Sequence, residues 1–277
     1  MSGIPRITVI VAAKNRAATL ERCLRSVPLQ AELIVVDGGS DDGSVDILRR
    51  SASRLAWWCS EDDAGICAAW NKAVAHASGE WILFLGADDW ISDAEAWQKV
   101  AARLADVPRE IRIAYGPVAL VAASGREIAV VGEPWDRAGR RFRREMSLPH
   151  QGVFHRRTLF PEHGGFDESY RIAGDYEFLL RELPTRPAAF LGPDAVVATM
   201  TVGGLSTRGT NILQHLREIR RAQERHGVFA FSPGYVARWL KAAVREAGNR
   251  LVGPTLAGRL ADHLRAATGR PRLWSVR

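Results

Sequence analysis

The α/β class, with a mostly parallel central sheet flanked by helices, is what this 277-residue sequence predicts. Three observations predict it. Apolar runs at Ile7–Ala12, Leu33–Asp37 and Trp81–Leu85 are nearly continuous instead of alternating, as strands covered on both faces require. Apolar residues between the runs recur at helical spacing. Each run ends in polar turn residues, and strands that alternate with helices in this way pair in parallel.

The elements follow in order. Ile7–Ala12, rich in β-branched residues, opens as a buried strand, and Leu20, Cys23, Leu24 and Val27 mark the first helix. Leu33–Asp37 is a second strand closed by a carboxylate. The turn from Gly38 to Gly43 leads into a helix holding Val45, Ile47 and Leu48. Ile66, Ala69, Trp70, Ala73, Val74 and Ala77 form an amphipathic stripe. After the strand Trp81–Leu85, a capping box led by Ser92 and ending at Glu95 starts a helix with Trp97, Val100, Ala101 and Leu104. Short strands are expected at Ile113–Tyr115, Val118–Ala122 and Ile128–Val131, followed by a basic loop from Arg137 to Arg144 and then Ser147–Phe154. A helix starting near Gly174 carries Phe178, Leu179 and Leu180, residues 188–202 read as strands, and the chain is helical after Gly203-Gly204. This divides it into a domain over 1–210 and a helical extension over 211–277.

Composition narrows the class of function. Hydrophobic residues at 47% and charged residues at 25% belong to a globular protein. Cys23, Cys59 and Cys67 are too few and too scattered for a disulfide framework or a zinc site, and they suit a reducing compartment. The start lacks a basic n-region and cleavage site, and no apolar run reaches the roughly 18 residues that span a bilayer. A cytoplasmic protein is expected, one that works at the inner face of the membrane if its C-terminal part docks there.

The net charge of +7 is unevenly placed: Lys and Arg number 25 against 27 Asp and Glu over residues 1–210, but 13 against 4 thereafter. Within the basic part, Val236, Trp239, Leu240, Ala243, Val244 and Ala247 form an apolar helical stripe opposite Arg238, Lys241 and Arg245. Such a helix lies on an anionic bilayer, or it packs on its own domain or on a second subunit as a homodimer. No recognised nucleic-acid motif accompanies the charge, so no nucleic-acid partner is expected.

Five groups of residues carry chemistry. Asp88 and Asp89 end the strand Trp81–Leu85, where open α/β sheets bind ligands, and paired hard oxygen donors suit a divalent cation and its diphosphate. A polar turn is the alternative. Asp37, followed by Gly38 and Gly39, can accept hydrogen bonds from a base or ribose, or can simply form an Asx-turn. Asp63 precedes the helix at Ile66 and can orient a nucleotide whose phosphate the helix N-terminus favours, or can simply cap that helix. Asp175 and Glu177 stand at a predicted helix start, where Asp175 is the candidate general base, or where the two simply complement the helix N-terminus. His150 is a candidate for metal, phosphate or acceptor, or is a satisfied structural histidine, and Gln151 is a candidate for phosphate or acceptor. There is no Gly-x-Gly-x-x-Gly and no P-loop, and an EF-hand read from Asp37 fails because Asp42 and Leu48 occupy its glycine and glutamate positions.

Ten segments fall in a recognisable order. They are Thr8 to Asn15, Val36 to Ser44, Ser60 to Ile66, Trp70 to Ala73, Ala77 to Trp81, Phe84 to Asp89, Pro149 to Phe154, Gly164 to Asp167, Ala173 to Phe178, and Gly203 to Ser206. On these the chain, over about residues 5–210, resembles the family 2 glycosyltransferases of GT-A fold, in the branch of bacterial polysaccharide enzymes of colanic-acid type.

The resemblance implies a GT-A sheet, a nucleotide-sugar donor linked to UDP, GDP or dTDP, Mg²⁺ or Mn²⁺ as cofactor, and an inverting transfer to a glycan, lipid-linked or small-molecule hydroxyl. Ala12, Lys14 and Asn15 would line the nucleotide pocket, Asp37 would contact the base, and Asp63 with Gly65 would complete the wall. Asp88 would be the second carboxylate of the family's Asp-x-Asp, and Asp175 the base. Gly86 replaces the first carboxylate, which implies a modest metal affinity supplemented by Asp89 or His150. Ala64 to Ala68 is a second departure, since relatives more often carry a lysine and an aspartate there. Two other readings stay open: a nucleotidyltransferase, which would need a glycine-rich basic loop where only Lys14 and Arg16 stand, and a non-enzymatic sugar- or nucleotide-binding subunit.

Overall fold

The computed structural model describes residues 4–122, 124–202, 211–229 and 233–267. The first half contains β1 (Ile7–Ala13), α1 (Ala17–Ser26), β2 (Glu32–Asp37), α2 (Ser44–Arg50), β3 (Trp57–Ser60), α3 (Ile66–His76), β4 (Trp81–Gly86), β5 (Trp90–Ile91) and α4 (Ala94–Ala105). Then come β6 (Ile113–Tyr115), β7 (Val118–Val121), β8 (Glu127–Val131), α5 (Trp135–Phe142), β9 (Val153–Arg156), α6 (Leu159–His163), α7 (Gly174–Leu180), β10 (Ala189–Phe190), β11 (Ala198–Thr201), α8 (Ile212–Arg225) and α9 (Pro233–Ala267).

The main sheet runs β10-β6-β9-β4-β1-β2-β3. All its pairs are parallel except those of β9 with β4 and β6, so β9 alone runs against the rest. This is the expected, mostly parallel α/β sheet. The period of two sends alternate residues of each strand to opposite faces. Val9, Val11, Leu33 and Val35 enter one core cluster, and Ile10, Ile34 and Val36 enter the other. Thr8 is the one polar residue in β1. It is fully buried and satisfied, donating to Glu32 and accepting from the Gly79 amide at 2.9 Å.

A second sheet, β5-β11-β7-β8, was not foreseen as a separate layer. Its strand β5 has only two residues, and β3 lies among tryptophans with no clean period, so neither stands out in the sequence. Two other expectations are corrected. The segment read as a basic loop from Arg137 to Arg144 is mostly helix α5: Ala138 and Phe142, four residues apart, are buried, while Arg141 pairs outward with Glu133 and Glu145. The cap of α4 is Asp93, which accepts from the Ala96 amide at 2.7 Å, one residue later than the box led by Ser92.

The expected division at residue 210 does not separate two cores. Ile219 and Ala222 of α8 belong to the cluster that holds Ile10 and Phe84. α9 is interrupted at Gly253 (φ +79°). Its Ala242 is buried, but Trp239, Leu240 and Val244 are 38%, 54% and 72% exposed, so this stripe is not buried on the protein's own domain. Among the described residues, no helix is long and apolar enough to cross a membrane. The Gly203 to Ser206 motif lies outside the described residues.

Candidate active site

Register brings the strand ends together. Ala12 pairs with both Val36 and Gly86, Ala13 with Asp37, and Asp37 with Ser60, so the turns that follow β1, β2, β3 and β4 are neighbours. Asp37 is fully buried and accepts from the Ser40 amide (2.8 Å), Ser40 Oγ (2.5 Å) and Ser60 Oγ (2.7 Å). Most of its acceptor capacity therefore shapes its own turn, as the Asx-turn reading requires. Ser40 Oγ in turn accepts from the Asn15 amide at 2.7 Å, and Asn15 Oδ1 accepts from the Asp41 amide at 3.1 Å. Asn15 sits at φ +53°, a left-handed conformation that asparagine tolerates better than most residues.

Gly38 is needed for closeness. A β-carbon there would stand 2.8 Å from Asp63 Oδ2 and 3.4 Å from Lys14 Cδ. Asp63 Oδ1 accepts from the Gly65 amide at 2.9 Å just ahead of α3. Lys14, Asn15, Asp37, Asp63 and Gly65 thus form one wall, with Ala12 in the strand beneath it.

At the end of β4, Asp88 and Asp89 turn oxygens toward Gly86. A β-carbon on Gly86 would lie 2.7 Å from Asp89 Oδ2 and 3.0 Å from Asp88 Oδ1. Asp89 is 3% exposed, accepts from the Thr201 amide at 3.1 Å and is hydrogen-bonded by Gln151. Burial, then the charge of Asp88, pushes its carboxyl up to about 7. Asp88 is more open, with Arg16 at 3.9 Å, and its carbonyl accepts from Arg22 at 3.2 Å. The Arg22 guanidinium lies 3.7 Å over the Trp90 ring. Two crowded carboxylates, one of them held partly protonated near neutral pH by burial and by its neighbour's charge, fit a hard divalent cation.

His150 does not complete a third ligand position. Among the described residues no group of three or more His, Cys, Asp or Glu side chains gathers for a metal. The His150 ring packs on Trp70 (5.0 Å) and Phe84 (5.7 Å), its Nε2 is buried without a hydrogen-bond partner, and burial pushes it down to about 3. It is a neutral ring in an aromatic nest at any ordinary pH, whereas its neighbour Gln151 does reach the carboxylate pair.

Asp175 is the second residue of α7, and its Oδ1 accepts from the Tyr176 amide at 2.7 Å. The helix starts hard against α3, for a β-carbon on Gly174 would collide with Cys67 Sγ. Burial and then Asp175 push the Cys67 thiol up to about 12. Burial raises Asp175 itself to about 6. The candidate base therefore stands beside the first turn of the helix whose approach holds Asp63 and Gly65. Arg16, Arg22, Trp90 and Thr201 were missed as site residues. Thr201 lies 112 positions from its partner Asp89, and nothing local signals such a contact.

Comparison with known proteins extends this geometry. Residues 8–143 match the family model Glycosyl transferase family 2. The PGL/p-HBAD biosynthesis glycosyltransferase of Mycobacterium tuberculosis is 34% identical over 185 residues, 64% of this chain and 69% of that protein. Among solved structures, S. aureus TarS 1-349 in complex with UDP-GlcNAc is similar with a TM-score of 0.59 at 17% identity, over 92% of this chain and 83% of that one. The chain spans 43% of a longer TarS chain. The mannosyltransferase PcManGT from Pyrobaculum calidifontis, in complex with GDP-Man and Mn²⁺, gives 0.56 at 23% identity, over 97% and 76%. These two structural likenesses are likenesses of fold.

Proposed function

Because this chain belongs to glycosyl transferase family 2, we propose that it moves a sugar, with inversion, from a nucleoside-diphosphate donor to an acceptor hydroxyl. The observation that carries the reading is the meeting of the Asp88–Asp89 pair with the Lys14, Asp37 and Asp63 turns at one edge of the sheet. The wall of Ala12, Lys14, Asn15, Asp37, Asp63 and Gly65 holds the nucleoside, a UDP, GDP or dTDP unit. Proteins of like fold hold UDP-GlcNAc, or GDP-Man with Mn²⁺.

Asp88 and Asp89 would hold Mg²⁺ or Mn²⁺, which when bound neutralises charge developing on the leaving diphosphate. Gln151 fixes Asp89, and Arg16 and Arg22 keep Asp88 in place. Asp175 accepts the proton of the acceptor hydroxyl as its oxygen bonds to the anomeric carbon from the face opposite the diphosphate. The bond to the diphosphate breaks with its electron pair, and the anomeric centre inverts through an oxocarbenium-like state. A carboxyl raised toward neutrality is a better base than an ordinary aspartate while still ionised at pH 7.

The acceptor is a glycan or a lipid-linked sugar of a cell-surface polysaccharide, and the C-terminal helix brings the enzyme to the cytoplasmic face of an anionic bilayer. Exposed Trp239, Leu240 and Val244, in a segment with 13 basic against 4 acidic residues, support that partner. A thermal-shift screen of UDP-, GDP- and dTDP-sugars with Mn²⁺, followed by proton NMR of the hydrolysed sugar, tests the reading. Stabilisation by one donor class and release of the inverted anomer are expected. No donor response with Mn²⁺, or retention of configuration, overturns it.

A further inference from the structure

α8 grips the start of α7 and the residues just before it. Glu218 Oε1 accepts from the Arg171 amide at 3.2 Å, and Oε2 accepts from the Ile172 and Ala173 amides at 2.8 and 2.9 Å. Gln214 Nε2 donates to the same carboxylate at 3.0 Å. Farther along, Gln223 donates to Tyr176 Oη at 3.0 Å and to the Arg143 carbonyl at 3.1 Å, and His226 meets Glu177 at 2.9 Å. Arg221 lies 3.7 Å over the Tyr170 ring.

Three consecutive amides aimed at one carboxylate are an anion nest, and here the anion is a side chain from another helix. Glu218 is 7% exposed, so its burial is matched by hydrogen bonds to the charged form. These amides belong to the residues just before α7, and the next-but-one residue after Ala173 is Asp175. α8 also lies beyond the 8–143 match, in the basic C-terminal part of the chain.

We propose that Glu218 is a positioning residue for Asp175: by gathering the amides of Arg171, Ile172 and Ala173 it fixes the first turn of α7 and the aim of the base. His215, one turn earlier on α8, faces the same site and assists. The inference rests on Asp175 being the base. Among the described residues, the titratable and charged groups facing Asp175 are Glu218 and His215 from α8 and Cys67 from α3. Burial dominates the proton affinity of Asp175, the charge of His215 lowers it and that of Glu218 raises it.

The experiment uses the full chain, with turnover of whichever of UDP-N-acetylglucosamine, GDP-mannose and dTDP-rhamnose the wild type hydrolyses fastest. Glu218→Gln keeps the size but lacks acceptors for all three amides. It should lower kcat about 10- to 100-fold, as displacement of a reacting group by about 1 Å does, and leave the affinity for UDP with Mn²⁺ unchanged. Its acid limb in the pH profile of kcat should move down, that of His215→Gln should move up, and Glu218→Asp should keep the limb near the wild type. Hydrogen exchange supplies a readout without catalysis: amides 171–173 are protected in the wild type and exposed in Glu218→Gln, with α1 unchanged.

A merely structural role would lower melting temperature, kcat and UDP affinity together and move neither limb, and that result overturns the inference. Unprotected amides at 171–173 in the wild type overturn it as well. Asp175→Asn separates it from the reading beneath: retained turnover there removes the base and with it any positioning of the base. Lost turnover in Asp175→Asn with an unaltered Glu218→Gln removes Glu218 alone.

Discussion

The Asp89 carboxylate borders the space that a side chain on Gly86 would need, with Oδ2 2.7 Å from the position of a β-carbon there. Gly86 is therefore more than the absence of a carboxylate: the Asp89 oxygen fills that side of the site. Gly86→Ala must displace Asp89, and Gly86→Asp must do so while adding a like charge. Donor affinity measured by calorimetry with Mn²⁺ should fall about tenfold in Gly86→Ala, or about 1.4 kcal/mol, and further in Gly86→Asp. A gain in Gly86→Asp would show that the site has room for the first carboxylate after all.

Cation binding should depend on pH through Asp89. Its carboxyl is raised by burial and by Asp88 to about 7, against about 3.9 in the unfolded chain. The folded state thus favours the protonated form. The stability this group gives the metal-free protein is complete below about pH 4 and is lost as pH rises through about 7. A cation binds the ionised form and restores what is lost, so the rise in melting temperature with Mn²⁺ should be several degrees larger at pH 8 than at pH 5.5. In Asp89→Asn the difference between the two pH values should vanish.

Asp175→Asn should lower turnover by roughly 10²- to 10⁴-fold, the range of general-base contributions, with donor affinity unchanged. In the wild type, kcat should fall about tenfold per pH unit below about 6, where burial places the carboxyl. An acid limb that persists in Asp175→Asn would assign it to another group.

Leu240 is 54% exposed on α9. Leu240→Glu should abolish flotation with vesicles containing phosphatidylserine and leave the melting temperature within about 1 °C, as surface changes do. Equal flotation of wild type and variant, or a concentration-dependent dimer that Leu240→Glu dissociates, would remove the bilayer and, in the second case, put another copy of the chain on the stripe.

What could be read from the sequence follows physical range. Strands β1, β2 and β4 were plain because strands buried on both faces must be apolar at nearly every residue, and Asp37, Asp63 and Asp88 were plain because each ends or begins an element in a motif. α5 was hidden because Ala138 and Phe142 are a thin stripe among arginines. His150 looked like a ligand because its chemistry allows it, yet its ring is surrounded by Trp70 and Phe84. The Thr201 contact to Asp89 and the Glu218 contact to residues 171–173 join positions far apart, which no local pattern encodes. The exposed stripe of α9 went the other way: its amphipathicity was legible, but not that its buried side is Ala242.

The embrace of α7 by α8 bears on how this protein can be cut and recombined. A fragment ending at residue 210 would keep the strands and turns at the edge of the sheet, yet would release Arg171, Ile172 and Ala173 from Glu218, and Tyr176 from Gln223. A chimera that grafts a foreign tail at that junction inherits the same injury unless the tail brings its own carboxylate to the right turn. The smallest portable piece of this chain therefore extends at least through His226, and the sheet with its turns, exchanged between relatives, must travel with its α8.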